Sequence, residues 1–310
     1  MTTVGVDLGG TNLLVALVDD DHRIRASTRV TTPQEGPDAV IDAIADAVTG
    51  LGGEPTAVGV GAPGPISDGV VRVAPNLAGW TEPVPLAERL AAKLGTTVLV
   101  DNDVNVGVVG EWVAGAGRGA RFLLGVWLGT GVGGGLVLDG KPYRGAYGAA
   151  AELGHVIVQA GGALCGCGRR GCVEAYAGRA NMEQVVAQRV AKGWQTSVPQ
   201  IMAKAGKDRM TSKVWAKALK ADDPVAVAVF DEAVDALGVA IGSAINLLDL
   251  DRVVIGGGLA EKLGADLAER LAAAARPWTM VADVDRRFVV AELGDDAGVI
   301  GAAHLARVGL

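Results

Sequence analysis

Two stretches, Gly5–Asp19 (GVDLGGTNLLVALVD) and Gly125–Asp139 (GVWLGTGVGGGLVLD), align without a gap at an offset of 120 residues. Gly5/Gly125, Val6/Val126, Leu8/Leu128, Gly9/Gly129 and Asp19/Asp139 coincide, and the residues between them keep their apolar character. Each copy reads as two short strands around a glycine-rich bend, because a bend without Cβ atoms lets the chain reverse tightly. The alternative is two similar hairpins arising by chance. The repeat favours two related domains, each presenting one glycine turn.

Outward from the first copy, strands and helices alternate. Asp38–Gly50 has the apolar stripe of a helix, Ala57–Val60 is a buried strand running into Gly61-Ala62-Pro63-Gly64, and Pro85–Leu94 is a second helix. Thr97–Val100 is a strand that delivers Asp101-Asn102-Asp103, and a helix follows from Val104 to Ala114. The alternation predicts βαβ units and a largely parallel sheet. A domain boundary falls at Gly115–Gly119, giving an N-terminal α/β domain over 1–115 and a second over 116–296. Past the second copy, Phe230, Val234, Leu237, Ile241, Ala244, Ile245 and Leu248 follow the spacing of a buried helix face. Arg252–Ile255 is a strand ending in Gly256-Gly257-Gly258, and Ala297–Val308 is an apolar helix. The polar stretch Lys204–Asp223 reads as a surface excursion.

The chain has 310 residues, half of them hydrophobic but only 4% aromatic, so its core is built from Ala, Val, Leu and Ile packed around 46 glycines. A formal charge of −7 argues against a broad nucleic-acid face. It leaves room for an anionic nucleotide held locally by backbone N–H groups and a metal ion. The longest apolar run, Phe122–Leu138, is broken by six glycines and reads as strand, turn, strand, not as a membrane span. The first residues, MTTVGVDLGG, lack the basic segment and apolar core of a signal peptide, so the expected location is cytoplasmic.

Three segments have the chemistry of a phosphate site. Successive N–H groups in a glycine turn form an anion nest, and Gly9, Gly10, Gly129, Gly131, Gly133 and Gly134 supply two such turns, with hydroxyls from Thr11 and Thr130. Asp7, just before the first turn, can hold Mg²⁺ through water. Gly256, Gly257 and Gly258 offer bare backbone to a base or ribose. None of these is a Walker A loop, since no G-K-[ST] follows.

Asp103 lies at the carboxyl end of a strand, where α/β proteins place ligands. A carboxylate there can accept a hydroxyl proton during phosphoryl transfer. Equally, Asp101 or Asp103 can serve as the cap of the helix that follows. The three cysteines fall within eight residues and form, with His155, the pattern H-x9-C-x-C-x4-C. His155, Cys165, Cys167 and Cys172 fill a tetrahedral Zn²⁺ shell with no open position, which makes the site structural. It fixes the loop carrying Glu152, His155 and Glu174. The alternative is three free thiols and an unrelated histidine.

With these motifs in view, the sequence resembles the ROK (repressor, open reading frame, kinase) family, closest to its bacterial ATP-dependent glucokinases. The matching segments are VGVDLGGTN (4–12), GAPGPI (61–66), PNLAGW (75–80), DNDVN (101–105), LGTGVGGG (128–135), AELGHVIV (151–158), CGCGRRGCVEAYA (165–177) and VVIGGGLA (253–260). The resemblance implies an α/β, actin-like (ribonuclease H-like) two-domain sugar kinase fold with an interdomain cleft, and a final helix, about 297–310, returning to the first domain. It implies a hexokinase-type phosphotransferase with Mg-ATP as donor, Asp103 as catalytic base, and Asn76, Asn102, Glu152, His155 and Glu174 as sugar ligands. Gly9–Asn12, Gly129–Gly134 and Gly256–Gly258 resemble its nucleotide-binding segments. One departure is Asn12, where many relatives carry Lys.

Other readings keep part of this frame. A kinase for N-acetylmannosamine, fructose, allose or mannose shares most motifs, although Glu174 and the PNLAGW segment favour a glucose-like sugar. Inorganic polyphosphate is another donor, with the complete zinc element favouring ATP. A sugar-responsive regulator from the same family would carry an added N-terminal helix-turn-helix segment, whereas here the first strand starts at Val4. The expected partners are sugar and ATP, with no nucleic acid and no membrane, and relatives suggest a homodimer or homotetramer.

Overall fold

The structure is a computed structural model and describes residues 2–52, 55–74 and 76–309. Pro75 of the PNLAGW segment and Leu310 of the expected final helix lie outside the described residues. The strands are β1 (Thr3–Leu8), β2 (Asn12–Val18), β3 (Ile24–Thr31), β4 (Ala57–Ala62), β5 (Ile66–Ser67), β6 (Val70–Val71), β7 (Thr97–Asn102), β8 (Leu123–Leu128), β9 (Val132–Leu138), β10 (Lys141–Tyr143), β11 (Arg252–Gly256) and β12 (Phe288–Val290). The helices are α1 (Pro37–Gly50), α2 (Leu86–Leu94), α3 (Asp103–Ala114), α4 (Val173–Ala177), α5 (Arg179–Ala191), α6 (Val198–Lys204), α7 (Ser212–Lys220), α8 (Pro224–Leu248), α9 (Gly258–Leu263), α10 (Ala265–Ala275) and α11 (Asp296–Val308).

The chain divides into one unit of residues 1–121, 135–150 and 292–310 and another of residues 122–134 and 151–291. In the first, the sheet order is β3-β2-β1-β4-β7. The β1–β2 and β2–β3 pairs are antiparallel, while β4 pairs in parallel with both β1 and β7. One face of the sheet buries Val6, Leu8, Val15 and Val60 against Ile41 and Ile44 of α1 and Leu86 and Leu90 of α2. On the other face, Ala16 and Val18 pack against Val299 and Ala303 of α11, and α11 in turn packs Ala302 and Leu305 on Val106 and Val109 of α3. The approach of α11 is close because β1 carries Gly5 there: a Cβ at that position would sit 1.8 Å from the Val299 carbonyl oxygen.

The second sheet has the order β10-β9-β8-β11-β12, and its strands β8, β11 and β12 belong to the second unit. Its pairing repeats the first: β9–β10 is antiparallel, and β11 pairs in parallel with β8 and with β12. The duplicated order, each with two hairpin strands followed by parallel crossovers, is the actin-like α/β arrangement.

The reading of Lys204–Asp223 as a surface excursion needs correction. It contains α7, whose Val214, Trp215 and Ala218 are fully buried beneath the exposed Lys213, Lys217 and Lys220. The lysines of one face mask the apolar face in a count of composition. Asp223 is also buried: it caps α8 by accepting from Val225 N and Ala226 N, and it accepts from Thr196 Oγ1 and Ser197 N.

Candidate active site

In the first unit, the β1–β2 turn is held from its carbonyl side. Thr32 Oγ1 donates to Gly9 O at 2.7 Å, Thr32 N to Thr11 O at 2.9 Å and Gln34 Nε2 to Gly10 O at 3.3 Å. Thr32 is almost fully buried to do this. The turn also lies against the loop carrying the exposed Asn76, whose backbone oxygen stands 2.6 Å from where a Gly10 Cβ would be. At the end of β1, the carboxyl of Asp7 is pushed up to about 7, chiefly by burial and next by the charge of Asp103, with Asp295 adding to this and Arg29 opposing it. A bound cation would relieve this repulsion, and Asp7 is the residue here that could hold one.

The β7–α3 junction resolves which residue caps the helix. Asn102 is the N-cap: its Oδ1 accepts from Val104 N at 2.9 Å and Asn105 N at 3.3 Å, while its Nδ2 donates to Gly64 O at 3.2 Å. Asp103 occupies the first helical position, one oxygen accepting from Val104 N at 2.9 Å. Asp101 has a different task. Buried to 9% exposure, it accepts from Asn102 N, from Asn105 Nδ2 at 3.1 Å and from Arg144 Nε at 2.6 Å. Arg144, absent from every sequence motif, thereby ties the segment after β10 to the junction that carries Asp103. Asn102 and Arg144 line a recess of about 390 Å³ with Ile66, Ser67, Asp68 and Tyr147.

In the second unit, the β8–β9 turn is likewise held by its carbonyls, here from the start of α5. Arg179 N donates to Gly129 O at 3.3 Å and Ala180 N to Thr130 O at 3.1 Å. Glu174 Oε2 accepts from Val132 N at 3.0 Å, just beyond the turn. Its other oxygen lies 3.9 Å from Cys165 Sγ, so Glu174 connects the glycine turn with the cysteine cluster. Gly133 and Gly134 continue into β9, partly exposed. Gly256 ends β11, and Gly257 and Gly258 start α9, where Gly258 lies against Ser212 of α7.

His155, Cys165, Cys167 and Cys172 bring their ligand atoms within 4.8 Å of one another. Cys165 Sγ lies 3.9 Å from His155 Nδ1, and Cys167 Sγ 3.7 Å from Cys172 Sγ. A tetrahedron with bonds of 2.0–2.3 Å has edges of roughly 3.3–3.8 Å, so the four donors fit a zinc ion. Nδ1 faces the sulfurs, which leaves Nε2 for another partner. The loop is tied by Val158 N to Gly171 O, Gly171 N to Ala163 O and Cys165 N to Arg169 O. Gly171 has φ 86°, and a side chain there would strike Gln159 O, so glycine is required for the closure. Without metal, burial pushes the Cys165 thiol up to about 12, whereas the Arg169 backbone N–H draws Cys167 down to about 6. Glu152 is exposed, at the start of the turn that carries His155.

The predicted residues thus gather as two groups, each within its own unit: Asp7, Gly9–Asn12, Asn76, Asn102 and Asp103 in the first, and Gly129–Gly134, Glu152, His155, the cysteines, Glu174 and Gly256–Gly258 in the second. Sequence reading missed Arg144 and Arg179, whose partners lie 43 and 49 residues away and carry no local pattern.

Glycine hairpins on duplicated α/β sheets define a protein of the actin-like class. The chain belongs to the ROK family, whose model matches residues 3–308. It is 36% identical over 316 residues to a glucokinase of Streptomyces coelicolor, covering 98% of this chain and 97% of that one. It is 37% identical over 311 residues to a glucokinase of Thermotoga maritima, covering 97% and 96%. Among solved structures, a ROK family glucokinase from Streptomyces griseus in complex with glucose and AMPPNP superposes with a TM-score of 0.80 at 34% identity, covering 100% of each chain.

Proposed function

We infer that the protein is an ATP-dependent glucokinase that forms glucose 6-phosphate and ADP. The observation that carries this reading is the likeness along the whole chain to glucokinases, one of them solved with glucose and an ATP analogue. Asp103 accepts the proton of the sugar's 6-hydroxyl as that oxygen attacks the γ-phosphorus and ADP leaves. Its position supports the role: Asn102 is the helix cap, and Asp103 shares only the Val104 N–H through one oxygen. Asn102 keeps one amide hydrogen for a sugar hydroxyl after donating to Gly64 O. Asn76, Glu152, Glu174 and His155 Nε2 complete the proposed sugar contacts.

Mg²⁺, when bound, neutralises charge on the donor's phosphates. Asp7 holds it through water, while the backbone of Gly9–Asn12 and Gly129–Gly134 receives the phosphates and Gly256–Gly258 the nucleoside. Zn²⁺ on His155, Cys165, Cys167 and Cys172 has a structural role, orienting His155 and Glu174. Use of ATP and a thiolate-rich metal site support a cytoplasmic location, and glucose 6-phosphate as product supports a role at the entry of glucose into glycolysis. No described helix is long and apolar enough to cross a membrane.

The test is Asp103→Asn, which lowers kcat by roughly 10²–10⁴-fold, the scale of a lost general base, and leaves glucose binding intact. Near-normal turnover would remove Asp103 from the mechanism. Protein purified without added metal should contain one zinc per chain by elemental analysis, and well-folded, active protein free of zinc would end the structural-metal assignment.

A further inference from the structure

The second glycine turn has a cation beside it. Arg179, the first residue of α5, donates through Nη2 to Thr130 Oγ1 at 3.1 Å and through Nη1 to Met210 O at 3.4 Å. Both acceptors are neutral. The nearby carboxylate, Glu183, is already engaged: Oε1 accepts from Met210 N at 3.0 Å and Oε2 pairs with Arg209 Nε at 3.5 Å. Among the described residues, no carboxylate lies within ion-pair distance of Arg179. Burial, and after it the charge of Arg209, act against the charge of Arg179, while the charge of Glu183 opposes them. A partly buried guanidinium with no carboxylate in direct contact carries a cost that an anionic ligand removes.

The first turn offers no comparable charge, since its side chains are Thr11 and the neutral Asn12. We propose that Arg179 contacts the β- and γ-phosphates of the donor at the Gly129–Gly131 turn. The proposal rests on reading this turn as a phosphate site and goes further by naming the side chain that neutralises the phosphates there. The Arg179 fork is held by its bond to Thr130 Oγ1, the hydroxyl of the turn itself, and its remaining N–H groups can donate to phosphate oxygens in a planar fork that a lysine matches only as a point charge.

The test compares Arg179→Gln, Arg179→Ala and Arg179→Lys with the wild-type enzyme, reading dissociation constants for ATP, ADP, AMP and glucose, each alone. The expected result for Gln and Ala is ATP binding weakened roughly 10- to 100-fold, the scale of a charge-assisted hydrogen bond, with ADP affected less and AMP and glucose within about twofold. Lys restores part of the ATP affinity. Gln retains donors for Thr130 and Met210 without charge, so it carries the test if Ala does not fold. Equal weakening of ATP and AMP would assign Arg179 to shaping the turn alone and overturn the proposal, as would unchanged ATP affinity. Failure of the kinase reading is separate: the wild-type protein would then not make glucose 6-phosphate from ATP and glucose.

Discussion

The β1–β2 and β8–β9 hairpins are copies of one device with opposite chemistry around them. Both turns are gripped by their carbonyls, the first by Thr32 and Gln34 and the second by the amides that open α5. Beside the first, Asp7 sits near a second carboxylate, Asp103. Beside the second stand Arg179 and, through Val132 N, Glu174 of the cysteine-rich element. The first grip uses side chains as well as backbone, and the second uses backbone amides. Beside the first turn the ionisable neighbours are two carboxylates, and beside the second they are a guanidinium and one carboxylate.

The largest effect expected on the acidic copy is from Asp103→Asn, a 10²–10⁴-fold loss of kcat in a coupled assay at saturating ATP and glucose. The comparison sharpens if this variant still binds ATP normally while Arg179→Gln does not.

Asp7 separates stability from activity. Its folded value of about 7 lies above the ordinary 3.8, so the folded state binds the extra proton, and stability declines as pH rises from about 4 through 7. In metal- and nucleotide-free protein, Asp7→Asn should add about 2 kcal/mol at pH 8, discounted for partial exposure, with the gain vanishing toward pH 4. Thermal melts across pH measure this, and Mg²⁺ should stabilise the wild type more than the variant at pH 8. A flat difference between the two proteins across that range would contradict the account of Asp7.

Removing Arg144 tests the junction from below. Arg144→Met leaves Asp101 without its ion-pair partner and should cost about 1–3 kcal/mol, below the range for a fully buried pair because the arginine is partly exposed. Denaturant midpoints read it, and Asp101→Asn combined with it should recover part of the loss. The smallest effect is at Thr32→Val, about 1 kcal/mol for the hydrogen bond to Gly9 O, with ATP affinity reduced at the first turn.

Much of this was legible in the sequence, for local reasons. The repeat, the three glycine segments and the Cys–His spacing are written in contiguous residues, and backbone geometry demands them there. The cap of α3 was not decided, because Asp101, Asn102 and Asp103 are all good capping types and only φ/ψ selects Asn102. Strand β3 escaped notice because IRASTRVT alternates between partly buried and exposed at the sheet edge and contains few apolar residues. Helix α7 is hard to read because Lys213, Lys217 and Lys220 interrupt its apolar residues and the segment before it is rich in charge. Arg144 and Arg179 act through partners far along the chain, a relation fixed by tertiary packing alone.

The most direct test of the central claim is the rate of phosphoryl transfer from ATP over a hexose panel: glucose, mannose, fructose, allose, N-acetylglucosamine and N-acetylmannosamine. The account predicts that glucose has the highest kcat/KM and that its product is the 6-phosphate. A higher kcat/KM for an N-acetylated sugar, or no ATP-dependent phosphorylation of glucose, would contradict it.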